Sequence, residues 1–310
     1  MHRAGNYSMG NDCDIPSCKM DCVHTNPISV MGIVCNCITS DYYIFKLNIT
    51  CKTRGYRYNY LYMLIVLHEE KDFIIVSKPA GLITHGDGKV KSKHVGSVVE
   101  EVLKLFPEIK GIGESEGNME RSGIVHRLDA DTSGVMVIAR TQAFFEHIKQ
   151  QFQDHVIEKE YKAFVWGWLK EEDKKGVINS PIGRSGSDFR KYVTGRFARG
   201  EMRDAVTFYE TLTQFESDDV EIGQHLPRFS YMSLKPKTGR THQIRVHLKH
   251  IHHGIVGDPL YMANHPKVLG FTRQALHAEN IRFFDLKGNE RQFSAPLPED
   301  FVNVCTKYSL

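Results

Sequence analysis

The residues best suited to chemistry lie in one charge-dense stretch, 124–140, which reads IVHRLDADTSGVMVIAR. Its polar half contains Asp129, and its apolar half, 135–139, is typical of a strand buried on both faces. A loop held against a buried strand is a rigid support for a reactive carboxylate. We therefore predict that Asp129 carries the chemistry, as a nucleophile of the kind that attacks a sugar anomeric carbon. The alternative is an aspartate that only caps a turn.

A nucleophilic carboxylate has to stay ionised in a site that excludes water, and burial opposes ionisation. Asp129 therefore needs a nearby cation. The candidates are Arg127, two residues before it, and Arg240 and Arg245, which lie in the densest basic segment of the chain.

That basic segment, residues 235–250, has helical spacing from residue 241, and Arg245 and Lys249 then share one face. This pattern predicts a track for phosphate groups with one arginine pointing inward. A solvated charged face is the alternative, and we favour it for Lys249 and His250.

The elements that position these groups follow from the periodicity of the apolar residues. Strands are predicted over 62–68, 72–77, 135–139, 161–169, 205–215, 229–235 and 278–284. Helices are predicted over 95–105, 141–155 and 241–250, with a last amphipathic segment from residue 298, whereas 182–200 is predicted as a surface loop or hairpin. Because the strands outnumber the helices and mostly follow one another, we predict an α+β fold: a mixed, mainly antiparallel β-sheet core with flanking helices.

Regular spacing of apolar residues begins near residue 59 and is not sustained before it. Residues 59–310 are predicted to form one catalytic domain, because no later linker is long enough to separate a second one. Residues 1–58 contain six of the seven cysteines, at spacings that do not match paired zinc ligands. We predict a poorly ordered, cysteine-rich N-terminal extension without a metal.

Composition excludes several classes of protein. The net charge of +3 permits a nucleic-acid partner without requiring one. No run reaches the about eighteen apolar residues of a membrane span, and no secretory signal begins the chain, so we predict a cytoplasmic protein with no membrane partner. Phosphate loops, dinucleotide fingerprints and zinc-protease motifs are absent, which favours chemistry without a cofactor or a metal.

Several segments together resemble the RluA-type pseudouridine synthases, which isomerise uridine to pseudouridine in RNA. The matching strings are KDFIIVSKPAGL (71–82), HRLDADTSGVMVIA (126–139), EKEYKAFVWG (158–167), PKTGRTHQIRVHL (236–248), VGDPLY (256–261) and LHA (276–278). They occur in the order found in that family. The S4 RNA-binding domain that many members carry at the start has no signature in residues 1–60.

The resemblance implies a role for each matching residue. Asp129 is the catalytic aspartate, Arg245 its ion-pair partner, and Tyr161 the tyrosine that stacks on the target base and assists proton removal. Arg127 fills the gap left by the extruded nucleotide, and Leu276 lines the pocket. We add His126 and Arg240, from the same two motifs, as substrate-binding candidates.

The resemblance also implies a mechanism and partners. A stacked uridine has to be flipped out before its glycosidic bond can be reached. The uracil is then detached, turned and rejoined through C5, with Asp129 adding to the sugar or abstracting a ribose proton. The predicted partner is ribosomal or transfer RNA, and the predicted oligomeric state is a monomer.

Two other functions compete with this one. An RNA-binding or folding protein would keep the pocket without using it for catalysis. A glycoside or nucleoside hydrolase would need a second acid, for which Asp131 is the only near candidate.

Overall fold

The computed structural model describes residues 64–85, 96–113, 122–218 and 226–310, together with the backbone of three strands nearer the N terminus. In chain order the strands are β1 (Lys19–Asp21), β2 (Val34–Thr39), β3 (Tyr42–Leu47), β4 (Ile65–Glu69), β5 (Phe73–Lys78), β6 (Ser133–Ala139), β7 (Glu158–Trp166), β8 (Lys175–Asn179), β9 (Ile182–Ser185), β10 (Tyr192–Thr194), β11 (Ala198–Arg203), β12 (Val206–Glu216), β13 (Arg228–Pro236), β14 (Leu276–Phe284) and β15 (Glu290–Ser294). The α-helices are α1 (Val98–Leu105), α2 (Gln142–Gln153), α3 (Gln243–His250) and α4 (Glu299–Tyr308).

Most of these strands form one continuous sheet in the order β1-β2-β3-β4-β5-β6-β14-β7-β13-β12-β8, with β15 paired to β14. Among the strand pairs in the described residues only β14 and β6 run parallel. The α+β prediction with a mixed, mainly antiparallel sheet is therefore confirmed. The parallel pair joins residues far apart in sequence. It places β6, the strand that follows Asp129, beside β14 at the centre of the sheet.

Strand β6 is buried along its whole length because a helix covers each face of the sheet there. Side chains alternate between the two faces of a strand. Met136 and Ile138 pack with α1, and Val135 and Val137 pack with α2. The prediction of a strand buried on both faces is confirmed.

The other half of the sheet carries a second apolar core. Helix α3 contributes Ile244 and Leu248, and α4 contributes Phe301 and Val304, to a cluster with the inner side chains of β7 and β13. The segment predicted as a surface loop or hairpin forms a small separate sheet in the order β10-β9-β11. Strand β8, which begins at Lys175 as a partner of β12, was not among the predicted strands.

The predicted N-terminal extension lies outside the described residues, except for the backbone of β1, β2 and β3, so its separation from the catalytic domain stays a prediction. No helix in the described part of the chain is long and apolar enough to cross a membrane.

Candidate active site

Asp129 lies on the loop that leads into β6, and this loop is tied to the segment after β5 by hydrogen bonds. Buried Lys78 donates from Nζ to the carbonyl oxygens of Pro79, Leu82 and Ala130 at 3.0, 2.7 and 2.8 Å. Thr84 binds both backbone groups of the residue before Asp129, accepting from the Leu128 amide at 3.3 Å and donating to its carbonyl at 2.9 Å. The loop is therefore fixed on both sides of the aspartate.

The carboxylate of Asp129 pairs with Arg245, which comes from α3, 116 residues further along the chain. Nη1 of Arg245 donates to Oδ2 of Asp129 at 2.9 Å. The Arg245 side chain is 6% exposed and that of Asp129 22% exposed, so the aspartate is the more accessible of the two in the cleft that both residues line. This arrangement leaves carboxylate surface available to a substrate.

Arg245 is itself held by a second carboxylate, Asp258. Nε and Nη2 of Arg245 donate to the two oxygens of Asp258 at 2.7 and 2.9 Å, and Oδ1 of Asp258 also accepts the backbone amides of Leu260 and Tyr261 at 2.9 Å each. Burial disfavours both charges, but these hydrogen bonds outweigh it. They raise the pKa of Arg245 and lower the pKa of Asp258 from their ordinary values.

The turn before α3 aims Arg245, and the amide of Gln243 fixes that turn. Its Oε1 accepts the Thr238 hydroxyl at 2.7 Å and the Arg240 amide at 3.0 Å. Its Nε2 donates to the carbonyl of Val206 and the hydroxyl of Thr207, both at 3.0 Å. A buried amide with every group satisfied holds one backbone conformation strongly. The string TGRTHQIR thus contributes Arg245 and also fixes the turn that orients it.

Tyr161 and Leu276 lie on neighbouring strands and line the cleft beside Asp129. Tyr161 is on β7, opposite Ala278, and Leu276 opens β14. Burial and then the negative charge of Asp129 raise the pKa of the Tyr161 phenol. The tyrosine is therefore protonated at neutral pH and presents an aromatic face with a hydroxyl donor.

His126 and Arg127 precede the aspartate on the same loop, and both line the cleft, whose volume is about 610 Å³. Nε2 of His126 accepts the Val137 amide at 3.1 Å, and its ring stacks on Phe152 with centroids 5.0 Å apart. Burial, helped by the charge of Lys159, lowers the pKa of His126 to about 3, so the ring is neutral. Arg127 is exposed.

The three arginines proposed as counter-charges have different positions. Arg245 makes the ion pair with Asp129. Arg240 lines the cleft but donates from Nε to the carbonyl of Asp204 at 2.9 Å. Lys249 and His250 are exposed, as the solvated-face interpretation expects.

Three further residues near the site were not singled out from the sequence: Asp258, His242 and Lys78. Asp258 lies in the string VGDPLY and Lys78 in KPAGL, so their motifs were visible although their roles were not. His242 adopts a left-handed conformation (φ 56°) at the start of α3 and places Nε2 3.9 Å from Oδ2 of Asp129. No group of three metal-ligating side chains occurs among the residues with described positions.

Comparisons with known proteins agree with this geometry. A human protein called RNA Pseudouridylate Synthase Domain Containing 4 superposes with a TM-score of 0.57 and 26% identity, over 79% of this chain and 92% of the other. The fold is thus that of an RNA-modifying isomerase. A family model described as RNA pseudouridylate synthase matches residues 72–250. The chain belongs to the RNA pseudouridylate synthase family, in its RluA-type branch, and is an RNA pseudouridine synthase.

Two bacterial relatives support the same assignment. A protein of Chlorobaculum parvum named "Uncharacterized RNA pseudouridine synthase" is 35% identical over 259 residues, which cover 79% of this chain and 74% of the relative. "Ribosomal large subunit pseudouridine synthase D" of Xanthomonas campestris pv. campestris is 36% identical over 256 residues, covering 78% and 69%.

Proposed function

We propose that the cleft receives one everted uridine of a folded RNA and isomerises it with Asp129 as the catalytic carboxylate. The observation that carries this proposal is the Asp129–Arg245 ion pair beside Tyr161, on the floor of a cleft of about 610 Å³. The glycosidic bond of a stacked uridine is out of reach in a helix, so the nucleotide has to leave the stack. Stacking on Tyr161 offsets that cost by about 1–3 kcal/mol.

The reaction is balanced without an oxidant or a reductant. The bond between uracil N1 and ribose C1′ breaks, the detached base turns within the cleft, and a bond forms between C5 and C1′. C5 loses its proton and N1 gains one. Because no electrons are exchanged with a third molecule, we propose that no cofactor takes part.

Asp129 acts as an ionised carboxylate in either of two routes. In one it adds to C1′ as the uracil departs, and in the other it takes a proton from the ribose. Arg245 supplies the counter-charge that both routes need, and Asp258 keeps the guanidinium in place. The aromatic ring of Tyr161 stacks on the uracil, and its hydroxyl assists removal of the C5 proton.

The remaining predicted site residues bind the substrate in this proposal. Exposed Arg127 enters the gap that the everted nucleotide leaves in the RNA, and Leu276 contacts the uracil from the side of β14. Arg240 lies at the rim on a turn fixed by Gln243, and neutral His126 supports the wall opposite.

The substrate that we propose is structured RNA of the large ribosomal subunit, because relatives such as the Xanthomonas protein are named for it. Transfer RNA is the second candidate. We also propose that the enzyme acts as a monomer in the cytoplasm, without a membrane partner.

A modification assay tests the catalytic proposal. Unmodified transcripts of large-subunit ribosomal RNA and of transfer RNAs are incubated with the protein or with Asp129→Asn, and pseudouridine is mapped chemically. We expect a few defined sites with the wild type and none with the variant, while both bind RNA. Binding without modification by the wild type would instead favour the RNA-binding or folding function, and modification by Asp129→Asn would remove Asp129 from the catalytic role.

A further inference from the structure

The wall of the cleft around His126 is basic and aromatic, and the residues that form it have no role in the proposed reaction. The side chains and turn that form it are those of Lys149, Phe152, His155, Lys159, Lys237 and Gly239. None of these six residues is acidic. This part of the cleft is therefore suited to bind an anion next to a stacked aromatic ring.

Lys159 is the member of this wall closest in the chain to the catalytic residues. It precedes Tyr161 by two positions on β7, and side chains two apart on a strand point to the same face, about 7 Å from each other. A group bound at Lys159 is thus an immediate neighbour of a group stacked on Tyr161.

The carboxylates beside Lys159 in the chain are engaged elsewhere. Glu158 pairs with Arg282, and Glu160 accepts from Lys162 at 2.6 Å and from Ser233 at 2.8 Å. Burial alone lowers the pKa of Lys159, to about 8, with no carboxylate near enough to oppose it among the residues that the structure describes. A desolvated ammonium without a counter-ion is costly, and an arriving anion removes that cost.

The surroundings of the Lys159 ammonium leave an approach for such an anion. On one side Nζ lies 5.8 Å from the ring centroid of Phe152. On another it faces Gly239, where an added Cβ would lie 3.9 Å from Nζ. The neighbouring Lys237 is turned to the carbonyl of His155, which accepts from its Nζ at 3.0 Å. The ammonium thus lies between a ring and a bare turn, within the lining of the cleft.

We propose that Lys159 forms a phosphate subsite, which binds the phosphodiester next to the everted uridine. The inference rests on the proposed function, because it takes the occupant of the cleft to be RNA. A phosphate is favoured over a uracil carbonyl because only an anion neutralises the charge of this half-buried ammonium. The subsite would fix the backbone of the nucleotide while Tyr161 holds its base.

The salt dependence of RNA binding tests this subsite. A fluorescent RNA stem-loop with uridines in its loop is titrated with the protein at several KCl concentrations between about 50 and 200 mM. Each phosphate contact that releases a counter-ion adds about 0.7–0.9 to the slope of log Kd against log salt. We expect Lys159→Gln to weaken binding and to lower the slope by about that amount, and Lys159→Arg to keep it.

A matched control separates this contact from general loss of charge. Lys175→Gln removes the same charge from the terminal strand β8, where the lysine side chain is 75% exposed, and should leave the slope unchanged. Circular dichroism confirms the fold of each variant. A wild-type slope in Lys159→Gln, or no measurable binding of the stem-loop by the wild type, would overturn the proposal.

The pH dependence of binding supplies a second readout. Phosphate binds the protonated lysine, so wild-type affinity should fall as the pH rises through about 8, the pKa of Lys159. Lys159→Arg should remove that fall, since arginine stays charged. The other titratable groups of this wall, His126, Lys149, His155 and Lys237, are the same in both proteins. An unchanged pH profile in Lys159→Arg would contradict the assignment.

These binding assays keep the two proposals apart. They are performed in parallel with Asp129→Asn, which lacks turnover and should bind with the wild-type salt slope. A Lys159-dependent slope without pseudouridine formation by the wild type would reject the catalytic proposal and leave the phosphate subsite. Pseudouridine formation with no Lys159-dependent slope would reject the phosphate subsite and leave the catalytic proposal.

Discussion

At the scale of single residues, the site depends on one buried guanidinium that two carboxylates share. Asp258 takes two of the Arg245 hydrogen bonds and two backbone amides, whereas Asp129 takes one and remains open to the cleft. The division is unequal: Asp258 satisfies and orients the arginine, and Asp129 keeps acceptor positions that face the cleft.

Replacing Arg245 with methionine should separate charge from volume. We expect the single-turnover rate to fall by about 10²–10³-fold, because Asp129 loses its counter-charge, while RNA affinity falls modestly. The free energy of unfolding should also drop, by about 3–5 kcal/mol, since Asp258 is left buried without its partner. Rapid-quench assays and urea unfolding measure the two effects.

The control for this variant is Arg282→Met, which removes an arginine whose side chain is 36% exposed and pairs with surface carboxylates. Its effect on stability should stay within about 0.5 kcal/mol, with normal turnover. Near-normal turnover in Arg245→Met would refute the role of the ion pair.

At the scale of elements, the parallel pairing of β6 with β14 brings Asp129 and Leu276 to one cleft. Gly134 makes this pairing possible: its φ is +128°, and an added Cβ would lie 2.1 Å from the carbonyl oxygen of Ala278. A contact that short with backbone cannot be relieved by turning a side chain. The two strands would have to separate.

Gly134→Ala should therefore cost more than an ordinary glycine replacement. The matched control is Gly111→Ala, which also has a positive φ (+82°) but meets nothing within 4 Å. We expect about 1–2 kcal/mol of destabilisation for the control, from backbone strain alone. Gly134→Ala should lower the free energy of unfolding by at least about 1–3 kcal/mol more than Gly111→Ala does. It should also lose most of its turnover.

Urea unfolding and the modification assay check this pair of variants. Equal losses of stability in Gly134→Ala and Gly111→Ala would show that the close contact between β6 and β14 adds no cost beyond backbone strain. A normal turnover rate in a destabilised Gly134→Ala would show that the pairing does not position the site.

At the scale of the whole molecule, a buried histidine on the central strand β14 makes stability sensitive to acid. Nδ1 of His277 lies 2.9 Å from the Ser133 hydroxyl and its Nε2 3.3 Å from the carbonyl of Ala295. Burial lowers the pKa of His277 to about 4. The unfolded value is about 6.5, so the folded state excludes a proton that the unfolded chain accepts.

The sign of the effect follows from that difference. The contribution of neutral His277 is complete above about pH 6.5 and is lost as the pH falls from there towards 4, at about 1.4 kcal/mol per pH unit. Buried His126 adds a slope of the same sign, so the test is the difference between two proteins. In urea unfolding between about pH 7 and 5, His277→Gln should reduce the slope of unfolding free energy against pH by about 1.4 kcal/mol per pH unit. Equal slopes for the two proteins would reject the assignment.

Much of the fold could be predicted because local patterns report local structure. The run at 135–139 is apolar at every position, and it is a strand buried between two helices. Strand β8 was missed because its sequence, KGVIN, carries few apolar residues, and only its pairing with β12 makes it a strand. The predicted extension at 1–58 stays a prediction.

The candidate site was only partly predictable for a related reason. Asp129 and Arg245 were proposed together, but so were Arg127 and Arg240, because spacing cannot say which arginine reaches a carboxylate. Asp258 was visible only as part of the string VGDPLY, and its role was not, since that role depends on a partner 13 residues earlier in the chain.

Most element types, the α+β class and the family motifs could be predicted from the amino-acid sequence, because they depend mainly on neighbouring residues. Which charges meet depends on the tertiary structure: Asp129 and Arg245 are 116 residues apart, and the packing of α3 with β7 and β13 brings the arginine to the loop before β6. The same holds for Lys159, which has no carboxylate partner among the described residues because Glu158 and Glu160 pair with other side chains. Ion pairing is set by distance and burial in the folded chain, and the order of residues does not contain either directly.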